Sequence, residues 1–205
     1  QGPIQLIQAI AVLRTLSDNA PSEGRDVLLL GGMGVHGSEK ESLHAVCRKI
    51  ASIWSFSKIE DAPEDRIRCT PQEWSRETAN LARRHAAEEP KQILVCRNAQ
   101  FVNEVALGAF PDAERFAYGD SLGVADVRPA GTPSAFRPEG LFDMHANFAV
   151  FPSLRQPGAW NRNPPRRIEL SVLADILAKV ADLLPEIDVI AEGLVRELGK
   201  SPTLV

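Results

Sequence analysis

The sequence predicts an α/β fold in which a parallel sheet carries helices on both faces, and three observations lead there. Short apolar runs occur at Asp26 to Leu30 and Gln92 to Cys96, as expected of strands covered on both sides. Between them lie segments whose apolar residues recur at spacings of three and four, the helical period. The two kinds of segment alternate, and alternation favours parallel crossover units.

The elements follow in order. Ile4, Leu6, Ile7, Ile10, Leu13 and Leu16 share one helical face, so a helix begins almost at residue 3. Pro3 suits its first turn, where a missing amide hydrogen costs nothing, and Gly2 lets the chain turn into it. Asp26 to Leu30 is a strand ending in Gly31 and Gly32, and a helix runs from about Ser38 to Trp54. Thr70, Pro71, Gln72 and Glu73 match a capping box, which starts a helix from Pro71 to about Glu88. A strand at Gln92 to Cys96, a helix from Gln100 to about Ala109 and a strand at Arg115 to Tyr118 follow. From Val127 to Arg167 seven prolines and scattered arginines surround one strand, Asn147 to Phe151, and the rest reads as loop. Helices at about Glu169 to Leu184 and Pro185 to Leu198 close the pattern, with Gly199 as a stop.

Composition narrows the function classes. With 23 basic and 27 acidic side chains the net charge is −4, which fits neither a polybasic nucleic-acid clamp nor an acidic disordered tail. No apolar stretch exceeds about ten residues, whereas a membrane helix needs roughly twenty. The N-terminus lacks a basic segment followed by an apolar signal, so the expectation is a cytoplasmic protein without a transmembrane segment. Cys47, Cys69 and Cys96 match neither a disulfide framework nor a zinc knuckle and read as buried thiols. No acidic cluster is spaced for magnesium or manganese.

Two motifs carry the candidate chemistry. Gly32, Met33, Gly34, Val35, His36 and Gly37 spell G-x-G-x-x-G after a strand and before a helix, the context of a dinucleotide site. Its ribose-binding acid would be Glu60 or Asp61, but Trp54 to Ile59 is a poor buried strand and the spacing is long. The alternative is a plain loop at the carboxyl edge of the sheet. Further on, Tyr118, Gly119, Asp120, Ser121, Leu122 and Gly123 place an aspartate between glycines just after a strand. The ligand crevice of an open parallel sheet lies outside the carboxyl ends of its strands, so Asp120 would face it; otherwise it is a turn or capping residue.

These residues, with Gly2 to Ile10, resemble the bacterial polysialyltransferase and sialyltransferase-like glycosyltransferases. There a glycine-proline or threonine-proline pair precedes a glutamine-leucine helix, and an acidic-acidic-glycine motif carries the proposed general base. The resemblance implies a GT-B fold, two Rossmann-like halves around a cleft. Residues 1–200 would then be the Rossmann-like acceptor-side domain, its first strand missing, and residues 201–205 the start of an absent donor-binding domain. Asp120 takes the base role; Gly119 replaces the first acidic residue and Ser121 the glycine. The family's histidine-proline pair has no counterpart, because none of His36, His44, His85 and His145 precedes a proline.

The implied reaction is inverting transfer of sialic acid or a related sugar from a CMP-activated donor to a glycan acceptor. A carboxylate takes the proton of the attacking hydroxyl, and no metal or further cofactor is needed. The nucleotide sugar and the glycan are the expected partners, nucleic acid is not, and peripheral association with the inner membrane is compatible with this picture. Gln5, Gly32, Arg97, Asn98, Gly119, Ser121 and Gly123 are the expected substrate-binding positions. Gln5 would donate a hydrogen bond into the cleft or lie on the surface; Arg97 and Asn98 would bind acceptor hydroxyls or cap a helix. Arg155, Arg162, Arg166 and Arg167 in the proline-rich loop would grip an acidic acceptor or remain solvated. Trp160 would stack on a sugar or anchor its loop, and His36 is more often a bystander. The competing readings are an NAD(P)-dependent oxidoreductase domain using the Gly32 to Gly37 loop and a non-catalytic carbohydrate-binding module.

Overall fold

The computed structural model describes residues 2–17, 26–31, 37–62, 70–96, 101–119, 144–150 and 165–185. In chain order these form α1 (Pro3–Leu16), β1 (Asp26–Leu30), α2 (Ser38–Ala51), β2 (Phe56–Asp61), α3 (Pro71–Arg84) and β3 (Gln92–Cys96). Then come α4 (Phe101–Ala109), β4 (Glu114–Gly119), β5 (Ala146–Ala149), β6 (Arg166–Arg167) and α5 (Leu170–Leu183). The strands form two sheets, ordered β1-β2 and β3-β4-β5-β6, and every pairing is parallel. The protein is an α/β fold of alternating helices and parallel strands.

Successive side chains of a strand point to opposite faces, and the core divides accordingly. Leu28 and Leu30 of β1, Leu94 and Cys96 of β3, Phe116 and Tyr118 of β4, and Phe148 of β5 join one apolar cluster with α1, α2 and α5. Leu29, Val95 and Ala117 turn the other way, toward α3 and α4. Both sheets therefore occupy one layer between the same two helical layers.

Several elements depart from the sequence pattern for identifiable reasons. The spacing in α1 predicts one apolar face, yet Leu6 to Val12 are all buried while Ile4 is 66% exposed. Neighbours on several sides explain it, since α2 and α5 flank the helix and β3 and β4 also touch it. Helix α2 ends at Ala51 rather than Trp54, whose Nε1 instead donates to Asp26 Oδ2 at 2.6 Å, at the start of β1. The capping box of α3 is present: Thr70 Oγ1 accepts from the Glu73 amide at 3.2 Å, and Glu73 Oε2 accepts from the Thr70 amide at 2.8 Å. That helix stops at Arg84 instead of Glu88, because His85 turns into the protein and Glu89 follows with φ of +42°.

Two segments read as non-strand are strands. Phe56–Asp61 pairs in parallel with β1, although its charged residues argue against a buried strand. Among the described residues it has one strand neighbour, and an edge strand does not need apolar residues throughout. Arg166 and Arg167 belong to β6 rather than to a loop, and both are exposed there. The helix expected from Pro185 to Leu198 lies almost wholly outside the described residues. No helix among those described is long and apolar enough to cross a membrane.

Helices α3 and α4 pack closely at Gly108, where an added Cβ would lie 2.5 Å from Trp74 Cζ2 and 3.3 Å from Thr78 Cγ2. Alanine improves intrinsic helix propensity by about 1 kcal/mol over glycine, but overpacking of this kind costs about 1–3 kcal/mol. Gly108→Ala is therefore expected to lower the urea midpoint, whereas a glycine with open space around it would show a rise.

Candidate functional site

The carboxyl ends of β3 and β4 form the edge where the sequence places the chemistry. Cys96 is in register with Tyr118, so the two strands finish side by side, and Gly119 is buried directly before residue 120. Asn103 Nδ2 donates to the Cys96 carbonyl at 2.6 Å and ties the first turn of α4 to the end of β3. Beside it Glu104, also in that first turn, is only 5% exposed. A helix amino end favours negative charge, which suits a carboxylate there.

Tyr118 packs beneath this edge in the apolar cluster. Burial above all, together with the thiols of Cys96 and Cys47, pushes its phenol well above the ordinary value. It stays neutral and serves as packing rather than as an acid. Burial likewise raises the Cys47 thiol, which keeps its proton and is a poor nucleophile. Cys47 and Cys96 are buried thiols outside any disulfide, as expected; Cys69 lies outside the described residues.

Of the residues named from sequence, Gly119 stands at this edge. Asp120, Ser121, Gly123, Arg97, Asn98 and Gly32 lie outside the described residues, as do Gly34, His36, Arg155, Trp160 and Arg162. Gln5 is half-buried, and its Oε1 accepts from the Gly2 amide at 3.0 Å. Its carbonyl thus closes the start of α1, and its NH₂ group takes no part in that contact.

The β1, α2 and β2 segments make a second arrangement at the same edge. Gly31 lies where an added Cβ would meet Ala62 Cβ at 2.6 Å, so the chains leaving β1 and β2 run in close contact. Gly37 precedes α2 with φ of +61°, a conformation that favours glycine. Asp61 Oδ1 accepts from Arg48 Nη2 at 3.2 Å and lies 3.1 Å from His44 Nδ1. The same aspartate lines an open hollow of about 640 Å³ with Ala62, Glu77, Asn80, Arg83 and Arg84.

Glu60 has different neighbours. Its carboxylate meets Lys58 Nζ at 2.8 Å, His85 Nε2 at 3.3 Å and Arg84 Nη1 at 3.7 Å. His85 is 3% exposed, and neither of its ring nitrogens makes a well-aligned hydrogen bond. Of the two acids named as ribose candidates, Asp61 opens to a hollow and Glu60 is committed to ion pairs.

The sequence reading did not single out Asn103, Glu104, or the partnerships of His44 and His85. The available signal at α4 was a polar pair set among Phe101, Val102, Val105 and Leu107 in a nine-residue helix. The histidine partnerships join α2 or α3 to β2, and no local spacing announces them.

The Lys58 hydrogen bond, aided by the charges of His85 and Arg84, holds the Glu60 carboxyl below its ordinary value. A lowered carboxyl contributes stability above its unfolded pKa and loses it as the pH falls through the lowered value. Glu60→Gln is therefore expected to shrink the drop in Tm between neutral pH and about pH 3, measured by circular dichroism. An unchanged drop would show that this cluster does not contribute to acid lability.

No protein-family model matches the chain, and no curated protein or solved structure matches it either.

Proposed function

We propose that this chain is the acceptor-side, Rossmann-like domain of a GT-B glycosyltransferase of the sialyltransferase-like kind, with Asp120 as its general base. The observation that supports this reading most is the path of β4. The strand runs buried to Gly119 beside the end of β3, in a parallel sheet with helices on both faces, and Asp120 is the next residue. Ligand crevices of such sheets lie outside the carboxyl ends of the strands.

In this reading a glycan hydroxyl attacks the anomeric carbon of a CMP-activated sugar as the bond to the phosphate oxygen breaks. The transition state is oxocarbenium-like, and the hydroxyl proton passes to the Asp120 carboxylate. Asn103 and Glu104 supply further hydrogen-bonding groups at that edge for acceptor hydroxyls. The resemblance assigns the CMP-activated donor to a second domain.

The test has a binding arm and a transfer arm. Calorimetry with a sialylated oligosaccharide is expected to give saturable binding to this chain. Joined to a donor-binding domain, the protein is expected to transfer sugar from CMP-sialic acid, and Asp120→Ala to reduce the rate by about 100-fold or more with Tm unchanged. An unaltered rate rejects the base assignment, and acceptor binding without any transfer favours a non-catalytic carbohydrate-binding module.

One observation favours a second reading, a dinucleotide site. The glycine loop leads from β1 into α2, and Asp61 at the end of β2 borders the hollow beside Arg83 and Arg84. If that reading is right, NADH fluorescence titrates to saturation and Asp61→Ala weakens binding about tenfold or more. A linear, non-saturating titration removes it.

A further inference from the structure

Six polar side chains are buried among the described residues: Gln8, His44, His85, Asn103, Glu104 and Asn147. Five of them are engaged by other groups. His44 meets Asp61, His85 meets Glu60, Asn103 donates to the Cys96 carbonyl, and Glu104 and Asn147 are engaged as well. Gln8 is the sixth. It is 6% exposed, and its carboxamide hydrogen-bonds to no described residue.

A carboxamide carries two N–H donors and an accepting carbonyl, and holding them away from bulk water without partners is costly. Methionine or leucine fills the same space without that cost, as the apolar residues on either side of Gln8 do. The carboxamide therefore suits a group that the described chain does not itself supply.

The fold places Gln8 near the proposed site. Helices that link parallel strands run back from the carboxyl ends to the amino ends, so α2, α4 and α5 begin at the carboxyl rim after β1, β3 and β6. Helix α1 delivers the chain to the amino end of β1 and runs in the same sense. Gln8 lies about 8 Å along it from Pro3. The helix touches β3 and β4, and Leu6, Ile7 and Ile10 share one apolar cluster with Cys96 and Tyr118 at the ends of those strands. Gln5, expected in the cleft, uses its carbonyl on the Gly2 amide instead.

The surroundings select the ligand chemistry. Helix α1 has no charged residue before Arg14, so it offers a carboxylate or phosphate no countercharge here. A neutral group that both accepts and donates, and that ends in an apolar part, matches a carboxamide set among Leu6, Ile7 and Ile10.

We propose that Gln8 reads the acetamido group of the acceptor sugar. Its NH₂ donates to the acetamido carbonyl, its Oε1 accepts from the acetamido N–H, and the acetamido methyl lies against apolar side chains of α1. The inference rests on the glycosyl-transfer reading and deepens it by naming the substituent recognised.

The experiment measures by calorimetry the affinity of this chain for two sialylated oligosaccharides that differ only in whether the terminal sugar carries an acetamido group or a hydroxyl at the same carbon. The unaltered chain is expected to bind the acetamido form about tenfold more tightly. Gln8→Met, close in volume, is expected to bring the two affinities together by weakening the acetamido form alone, with Tm equal or higher. Equal affinities in the unaltered chain overturn the inference and leave the acceptor-side reading standing, whereas failure to bind either sugar overturns both. A Gln8→Met chain that keeps the preference also overturns it. So does one that loses Tm and both sugars alike, because Gln8 is then a structural residue.

Discussion

Everything in this fold rests on the burial of α1. Among the described residues the β1-β2 and β3-β4-β5-β6 sheets share no strand pairing, and one apolar cluster spans both. Leu6 to Val12 supply much of it, packed in one cluster with Leu30 on one sheet and Cys96, Phe116, Tyr118 and Phe148 on the other. Fully burying an aliphatic or aromatic side chain is worth about 1.5–3 kcal/mol, so a helix with Ile10, Ala11 and Val12 wholly inaccessible is a substantial anchor. Arg14 adds an ion pair to Asp175 on α5, and being exposed on the aspartate side it contributes little beside the apolar contacts.

Charged side chains and two buried histidines gather around β2. Glu60 and Asp61 are consecutive, so they point to opposite faces of an edge strand, and each meets a histidine from a different helix. His44 and Arg48 come from α2, and Arg84 and His85 come from the end of α3. The two acids thereby clamp the two helical layers to one strand. These pairs are mostly exposed and add little each; the segment tolerates its charges as a strand because, among the described residues, it has one strand neighbour and its charged side chains stay in water.

Both proposed readings depend on which backbone ends meet at one edge. Parallel strands bring Cys96, Gly119 and Ala149 to a common rim although long stretches of chain separate them. Asn103 and Glu104 reach that rim through the short link from β3 into α4. The glycosyl-transfer and dinucleotide readings use different stretches of the rim, the first beside β4 and the second beside β1 and β2, so each can be tested without disturbing the other.

Local sequence determined a large part of this protein. Apolar runs located β1 and β3, the Thr70 to Glu73 box started α3, and the alternation of patterns implied a parallel sheet, because these signals depend on residues within a few positions of one another. Only the tertiary structure decided that Phe56–Asp61 is a strand, that α1 is enclosed well beyond one apolar face, and that Asn103 and Glu104 sit at the rim. It also showed that, among the described residues, the strands fall into two sheets, β1-β2 and β3-β4-β5-β6. Those outcomes depend on partners far away in the chain, and the free energy of burying or pairing a side chain belongs to the contact, which no local pattern records.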